Sequence, residues 1–266
     1  MWGDLILYLF FEGFVLNLII VENGDSVGEG RYRLCGNRAE HIRRVLKAEV
    51  ADELKVGMLD GGKGVGVVEA VDKSEVILKC EFAEQAESGL VGIDLVCALP
   101  RQQTVKKVLH SVAAMGVGRI FFVRANRVEK SYFEASVLEE DNIRRFLIEG
   151  LSQGGKTKMP VVSVHRYFKK FFEDELPVIE KDTGGYDIKL LAELSTEKML
   201  SGFDLGAGKR VLLAIGPEGG WVDFEVGLME GVGFEKFFLG PWTLRVENAV
   251  VAAIGQIELA VRGYGK

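Results

Sequence analysis

Beyond residue 90, short apolar runs alternate with amphipathic segments, and this alternation leaves few architectures open. The apolar runs have the length typical of strands buried on both faces; they are Ile93–Leu99, Arg119–Val123, Val211–Ile215 and, more briefly, Phe237–Leu239. The segments with helical periodicity are Thr104–Met115, which Gly116 would cap, Leu138–Leu151, Asp223–Gly231 and Asn248–Val261. Strands and helices in this order predict a parallel sheet of the α/β class.

The first third of the chain is rich in β-strand patterns instead. One helix is predicted at Ala39–Leu46, and the turn Val71–Ser74 favours a hairpin. The strands are predicted at Asn17–Val21, Glu49–Val56, Val65–Val71 and Glu75–Phe82. We therefore predict an N-terminal extension over residues 1–16, a small β domain over 17–89 and an α/β domain over 90–266.

Composition excludes several functional classes. The three cysteines and three histidines are scattered, which argues against a disulfide framework or a metal site and favours a reducing cytoplasm. The apolar N-terminal stretch, residues 1–21, has neither the basic start of a signal peptide nor the clean length of a membrane span. A net charge of −6 argues against a general polyanion binder. Three local basic clusters nevertheless indicate a phosphate-facing surface: Arg38 to Lys47, Arg119 to Lys130 and Lys156 to Lys170.

Two glycine-rich segments do not meet the requirements of nucleotide-binding motifs. Gly61–Gly66 contains a G-x-G pattern, but β-like sequence follows it where a dinucleotide fingerprint needs a helix, so a flexible loop is predicted. Gly206–Arg210 resembles a P-loop only superficially, because it precedes a strand and lacks the hydroxyl residue for magnesium.

Two Gly-Pro loops carry the strongest functional signal. Ile215–Gly220 follows the strand Val211–Ile215 directly, and Leu239–Asn248 runs from a short strand into the last helix. Ligands of open α/β sheets bind beyond the carboxyl ends of the strands, and glycines there allow a close approach to the backbone. The two loops are suited to clasp a flat adenine between backbone groups and apolar side chains. The alternative is a pair of purely structural turns.

These loops resemble the paired signature of the 16S rRNA uridine N3-methyltransferases, which belong to the SPOUT superfamily. The family pattern is I-G-P-E-G-G followed by L-G-P-x-x-L-R-x-E-T. His41–Lys47, Gly116-Val117 and the segment from Gln153 through Lys156 to Pro160 are similar to further stretches of the family. The resemblance implies a PUA-like β-barrel domain that binds RNA, followed by a SPOUT α/β domain with a trefoil knot.

The chain departs from the family pattern at several positions. Trp242 stands where the family often has arginine, and Val246 and Asn248 replace two threonines around Glu247. Lys156 replaces an arginine, and Ala114 replaces a glutamate. Arg245, Glu247 and all the glycines of the two loops remain, so the departures concern side-chain roles more than the backbone of the site.

The resemblance implies a methyltransferase that transfers a methyl group from S-adenosylmethionine to uridine N3 of 16S rRNA. Arg245 and Glu247 are the candidate catalytic residues, although Arg245 is equally suited to a salt bridge with Glu247, and Glu247 to the first turn of a helix. The implied cofactor contacts are Ile215, Gly216, Gly219, Leu239, Gly240, Leu244, Arg245 and Val246. The implied RNA contacts are Arg38, His41, Arg43, Arg44, Arg127 and Lys130.

The resemblance also implies a cytoplasmic homodimer that uses the last helix at its interface and needs neither a metal nor a membrane. The partner would be 16S rRNA or the small ribosomal subunit. Two alternatives stay open at this point: a SPOUT enzyme acting on another site, such as a tRNA ribose 2′-hydroxyl, and a non-catalytic RNA-binding module.

Overall fold

The computed structural model describes residues 18–83 and 92–262 of the chain. Contacts divide these residues into two compact units: residues 18–83 with Leu151–Lys158, and residues 92–150 with 159–262. The predicted N-terminal extension, Asn17 and the predicted boundary near residue 90 lie outside the described residues.

The first unit is built on one six-stranded sheet. Its strands are β1 (Ile19–Val21), β2 (Ser26–Gly28), β3 (Arg31–Cys35), β4 (Glu53–Met58), β5 (Lys63–Val71) and β6 (Glu75–Phe82). They lie in the order β1-β4-β5-β6-β3-β2, and every pair except β1 with β4 is antiparallel. The buried core of this unit includes Leu34, Ile42, Val56, Val76 and Leu78.

The segment Leu151–Lys158 belongs to this unit, although the sequence places it in the second domain. Hydrogen bonds explain the assignment. The Ser152 carbonyl accepts the Leu18 N–H at 3.0 Å, and the Ser152 hydroxyl donates to the Leu18 carbonyl at 2.7 Å. Further along, the Thr157 hydroxyl donates to the Gly61 carbonyl at 2.8 Å.

The predicted hairpin between β5 and β6 is confirmed, with Val71 opposite Val76. The predicted helix is longer than expected: α1 (Gly36–Glu40) continues as the π-helical turn His41–Leu46. The prediction of a flexible loop at Gly61–Gly66 is wrong for most of that segment, because β5 begins at Lys63. A side chain at Gly64 would collide with the Glu81 carbonyl of the neighbouring strand, so close strand pairing accounts for this glycine.

The second unit contains the predicted parallel α/β sheet. Its strands are β7 (Ile93–Ala98), β8 (Arg119–Val123), β9 (Val161–His165), β10 (Ile188–Ala192), β11 (Val211–Ile215) and β12 (Phe234–Phe237). They lie in the order β12-β10-β11-β7-β8-β9, and all five pairs are parallel. Every residue of β7 and β11 is buried, which explains why β11 is apolar along its whole length and why β7 is apolar except at Asp94.

The helices of this unit are α2 (Gln102–Met115), α3 (Glu140–Gly154, whose last residues from Leu151 belong to the first unit), α4 (Phe168–Lys170), α5 (Leu176–Thr183), α6 (Asp223–Gly231) and α7 (Val246–Arg262). Gly116 caps α2 in the left-handed conformation, as predicted, with φ of 81°. Helix α7 begins at Val246, two residues earlier than predicted, and it packs against α2. This early start places Glu247 in its first turn.

Strands β9 and β10 are absent from the sequence-based predictions, and β12 precedes its predicted position at Phe237–Leu239. Strand β10 matters most for function because it lies between β11 and β12, the two strands that lead into the Gly-Pro loops. No helix within residues 18–83 and 92–262 combines the length and apolarity needed to cross a membrane.

Candidate active site

The two Gly-Pro loops meet at one cleft, at the carboxyl ends of β10, β11 and β12. The cleft contains about 710 Å³ of empty space, part of which is open to solvent. It is lined by Ala192, Glu193, Leu194, Ile215, Gly216, Pro217, Glu218, Gly220, Trp221, Leu239, Gly240, Trp242, Thr243, Leu244, Val246 and Ala249. This is the edge of a parallel sheet where ligands of α/β proteins bind.

Six of the eight predicted cofactor contacts line this cleft: Ile215, Gly216, Leu239, Gly240, Leu244 and Val246. Gly219 and Arg245 are not among the lining residues. The structure therefore brings together the apolar and backbone part of the predicted set, while the one charged member lies outside.

Close approach explains two of the glycines. A Cβ at Gly216 would lie 3.0 Å from Nε1 of Trp221, whose indole is buried and packs 5.7 Å from the Phe168 ring. A Cβ at Gly240 would collide with the ring of Trp242, which is exposed. The buried Nε1 atom of Trp221 has no hydrogen-bond partner in the described part of the chain.

The first loop turns tightly between Pro217 and Gly220. The Gly220 N–H donates to the Pro217 carbonyl at 2.8 Å, and Gly220 has a φ of 73°, which favours glycine. Gly219 is covered by the side chain of Arg127, whose guanidinium donates to the carbonyls of both glycines. This contact explains why Gly219 does not face the cleft.

The second loop is held by the last helix. The side-chain amide of Gln256 donates to the Leu239 carbonyl at 3.1 Å, and the Asn248 and Ala249 N–H groups donate to the Arg245 carbonyl at 3.0 and 2.9 Å. Arg245 thus occupies the residue position immediately before α7, at the rim of the loop.

The predicted alternative of a salt bridge between Arg245 and Glu247 does not form. The Glu247 carboxylate instead accepts a hydrogen bond from Lys107 Nζ on α2 at 3.0 Å. Burial raises the pKa of Glu247, but Lys107, the backbone N–H of Glu247 itself and the charge of Arg245 lower that pKa below its ordinary value. The Arg245 guanidinium is exposed and has no hydrogen bond or ion pair with the residues that the structure describes.

Sequence reasoning missed the third wall of the cleft. Ala192 is the last residue of β10, Glu193 and Leu194 follow it, and all three line the cleft beside the two loops. The apolar run Ile188–Ala192 was the available signal, but Lys189 interrupts it. Arg101 was also missed. It follows β7, and its Nε donates to the Tyr132 hydroxyl at 3.2 Å. This hydrogen bond, together with the charges of Tyr132 and Glu218, raises the pKa of Arg101.

The predicted RNA contacts of the first unit differ in how far they are already engaged. Arg38 forms a bidentate salt bridge with Asp25, at 2.6 and 2.7 Å. Arg43 donates to the carbonyls of Asp72 and Lys73 in the β5–β6 turn. Arg44 is exposed and, among the described residues, forms its one ion pair with Glu40 one helical turn away, at 2.9 Å. His41, on the same helix, is half-buried.

In the second unit, Lys130 is exposed and has no hydrogen bond or ion pair with any described residue. No group of three or more His, Cys, Asp or Glu residues within 18–83 and 92–262 is arranged to hold a metal ion.

Comparison with known proteins assigns the family. Residues 87–258 match the model of the RNA methyltransferase domain family, and this range contains the whole cleft. The chain belongs to this family. The match also covers the parallel sheet from β7 to β12, so the fold and the sequence point to the same class of protein.

A curated relative extends the similarity beyond this domain. The ribosomal RNA small subunit methyltransferase E of Treponema pallidum is 29% identical over 243 residues, covering 90% of this chain and 89% of the relative.

Two solved structures share the fold. One is a protein of Legionella pneumophila whose structure holds the cofactor SAM. It has a TM-score of 0.73 and 23% identity, and the match covers 92% of this chain and 98% of that one. The other is a ribosomal RNA small subunit methyltransferase E from Neisseria gonorrhoeae bound to S-adenosylmethionine. It has a TM-score of 0.72 and 17% identity, with the same coverage of 92% and 98%.

Proposed function

We propose that this RNA methyltransferase transfers a methyl group from S-adenosylmethionine to N3 of a uridine in 16S rRNA. The observation that carries the proposal is the single cleft that both Gly-Pro loops form at the carboxyl ends of β10, β11 and β12. The Treponema pallidum relative, a small-subunit ribosomal RNA methyltransferase, supports this substrate because its similarity extends over 90% of the chain.

The residues of the cleft fit the proposed cofactor. Two glycines leave the backbone accessible, and Ile215, Leu239 and Leu244 provide apolar surface for a flat heterocycle. The unpartnered indole N–H of Trp221 is a further donor in the wall of the cleft. When bound, S-adenosylmethionine supplies an activated methyl group, so the contribution of this chain is mainly to position the reacting atoms.

The acceptor base must be activated before it can react, whereas the cofactor already carries an activated methyl group. Uridine N3 carries a proton, and the base becomes a good nucleophile only as that proton leaves. An arginine near the carbonyl oxygens of the base stabilises the resulting negative charge. Arg245 is suited to this role because its guanidinium is exposed at the rim of the cleft and has no partner in the described chain. Glu247 is engaged by Lys107, so we assign it to orienting the start of α7.

Arg245→Ala tests this division of roles. We expect the variant to lose most of its turnover and to keep most of its affinity for S-adenosylmethionine, because Arg245 does not line the cleft. Single-turnover kinetics and calorimetry measure the two effects separately. Loss of cofactor affinity with normal turnover at saturating cofactor would assign Arg245 to the binding site instead.

We propose that the first unit is a PUA-like barrel that binds the rRNA backbone, and that the second unit carries the SPOUT trefoil knot. The parallel sheet order and the likeness to the two solved methyltransferase structures support the second assignment. Arg44 and Lys130 are the proposed RNA contacts with the most accessible charge, and His41, Arg38 and Arg43 would complete the set. Because N3 lies on the pairing edge, the target base must be unpaired or flipped.

We also propose a homodimer in the cytoplasm, where ribosomal RNA is assembled into subunits. The outer face of α7 supports a dimer, because Val251 and Leu259 on this face are 40% and 55% exposed. Light scattering of the wild type and of Leu259→Glu tests the interface: we expect the variant to shift towards the monomer. An unchanged dimer would place the interface elsewhere.

Methylation of small-subunit RNA tests the proposed reaction directly. Small subunits from a strain that lacks the uridine modification are incubated with the protein and S-adenosylmethionine, and nucleosides are identified by mass spectrometry. We expect 3-methyluridine. A methylated ribose, or activity only on tRNA, would favour the other SPOUT reaction, and cofactor-free RNA binding alone would favour a non-catalytic module.

A further inference from the structure

The loop after β8 is tied to the wall of the cleft by the side chain of Arg127. Its Nη1 donates to the Gly219 carbonyl and, at 3.3 Å, to the Gly220 carbonyl. The stem of the side chain covers Gly219, where an added Cβ would lie 2.9 Å from Arg127 Cδ. Gly220, the next residue, lines the cleft. Arg127 does not line the cleft itself, so it holds the Gly219–Gly220 turn from outside the cleft.

A second tie joins the same two loops. The N–H of Asn126 donates to Oε1 of Glu225 at 2.6 Å, and Oε2 of Glu225 accepts the Val222 N–H at 3.0 Å. Glu225 is only 3% exposed, so these two donors offset the cost of burying its charge. Adjacent residues of the β8 loop thus contact the segment after β11 at two places: Arg127 binds the Gly219 and Gly220 carbonyls, and Asn126 binds Glu225 in the first turn of α6.

Nη1 of Arg127 is already directed at two protein carbonyls, whereas Nε and Nη2 have no hydrogen bond with the described residues. A guanidinium that contacts an RNA phosphate must direct its N–H groups at the phosphate oxygens, and using Nη1 for this would break the contact with Gly219. Lys130, three residues further on, has no such engagement with the described residues. The two basic residues of this loop therefore differ in what they are free to bind.

We propose that Arg127 is a positioning residue that holds the Pro217–Gly220 wall of the cleft in its ligand-binding shape, and that it is not an RNA contact. This inference rests on the proposed function, because it assumes that the cleft binds S-adenosylmethionine. Arg127 acts through the backbone of Gly219 and Gly220 and does not touch the cofactor itself.

Four variants of the full chain separate positioning from RNA binding. Arg127→Met keeps much of the apolar stem and removes the donors, and Arg127→Lys restores one cationic donor. Lys130→Gln removes the neighbouring unengaged charge. Lys181→Met, on the exposed surface of α5, serves as a control that removes a charge away from both loops.

Calorimetry with S-adenosylmethionine in the absence of RNA gives the first readout. We expect Arg127→Met to weaken binding about tenfold, which corresponds to about 1.4 kcal/mol and is comparable to the net contribution of one typical hydrogen bond. Arg127→Lys should recover part of this loss, while Lys130→Gln and Lys181→Met should bind as the wild type does. At saturating RNA, Arg127→Met should show a raised KM for the cofactor and the same kcat as the wild type.

The salt dependence of RNA binding, measured at saturating cofactor, gives the second readout. Loss of one phosphate contact lowers the slope of log K against log salt by roughly 0.7 to 0.9. We expect this decrease for Lys130→Gln and an unchanged slope for Arg127→Met. If Arg127→Met kept its cofactor affinity and showed a shallower salt dependence of RNA binding, this inference would be overturned and the proposed function would stand. Failure of the wild type to bind S-adenosylmethionine would overturn the proposed function as well.

Discussion

Alanine at Gly216 should be far more damaging than alanine at Gly227, an exposed glycine inside α6. An added Cβ at Gly216 would lie 3.0 Å from Nε1 of Trp221 and 3.2 Å from two of its ring carbons. Trp221 is 7% exposed and packs on Phe168, so its ring cannot turn away. A Cβ at Gly227, in contrast, would meet no heavy atom within 4 Å outside the backbone of its own helix.

The geometry sets the expected size of the effect. A carbon at 3.0 Å requires its neighbours to shift by a few tenths of an ångström, and overpacking of a buried site costs about 1 to 3 kcal/mol. Taking about 1 to 2 kcal/mol for Gly216→Ala, the Tm should fall by about 2 to 8 °C for a unit of this size. The affinity for the cofactor should fall together with the Tm, because Gly216 and Trp221 both line the cleft and would be displaced.

Thermal unfolding and calorimetry on the two variants measure these effects side by side. We expect Gly227→Ala to be at least as stable as the wild type, because alanine is favoured over glycine by about 1 kcal/mol inside an exposed helix. A Gly216→Ala variant as stable as the wild type, or a Gly227→Ala variant that loses more stability, would refute the argument. The first result would mean that the buried ring of Trp221 yields without cost.

Three further expectations concern buried ionisable groups. The pKa of Glu247 is lowered in the folded chain, so its contribution to stability is present above its ordinary pKa and is lost as the pH falls through the lowered value. The Tm difference between the wild type and Glu247→Gln should therefore be greatest at neutral pH and should shrink as the pH falls through that lowered pKa. Asp94 should behave oppositely, because burial raises its pKa against the lowering effects of the Tyr186 hydrogen bond and nearby arginines. The stability that this raised pKa contributes is present at acid pH and lost as the pH rises through the raised value, so Asp94→Asn should gain stability relative to the wild type between pH 4 and pH 7, as followed by urea unfolding at each pH; an equal difference at both pH values would contradict it. Burial raises the pKa of Cys80 to about 11 and also raises that of Cys97, so a thiol reagent at pH 8 should label one cysteine rapidly, the exposed Cys35, in the native protein.

The strands that the sequence predicts most accurately are those whose local pattern carries the whole signal. Arg119–Val123, Val211–Ile215 and Glu75–Phe82 begin and end in the structure where the sequence places them. The first two lie inside the parallel sheet and are almost entirely buried, so their pattern is a continuous apolar run. The third alternates because only one of its faces is buried.

Strand β10 was missed because its pattern depends on a distant partner. Lys189 would be costly inside a sheet, but its Nζ pairs with Glu180 at 2.5 Å and donates to the Val232 carbonyl at 2.9 Å. No local rule indicates that such partners exist. Strand β3 was missed for a related reason: Leu34 is its only buried residue, so the strand carries little apolar signal.

Sheet order is the other property that local patterns do not contain, and it determines the candidate site. The two Gly-Pro loops follow β11 and β12, which are consecutive strands in the chain, yet β10 lies between these strands in the sheet. The cleft consequently has three walls, and the third, Ala192–Leu194, comes from a strand that precedes both loops.

The same reasoning applies to charged residues. The sequence nominates Arg127 and Lys130 alike, because both are basic and belong to one cluster. Only the fold shows that Arg127 lies beside glycines more than ninety positions away and donates to them, at a separation of 92 and 93 residues. A basic cluster identified from sequence therefore contains two kinds of residue. Some stabilise the fold through hydrogen bonds within the protein, and others are available to bind a ligand. In this chain, one of the residues nominated for RNA, Arg127, donates its hydrogen bonds to a loop that lines the cleft.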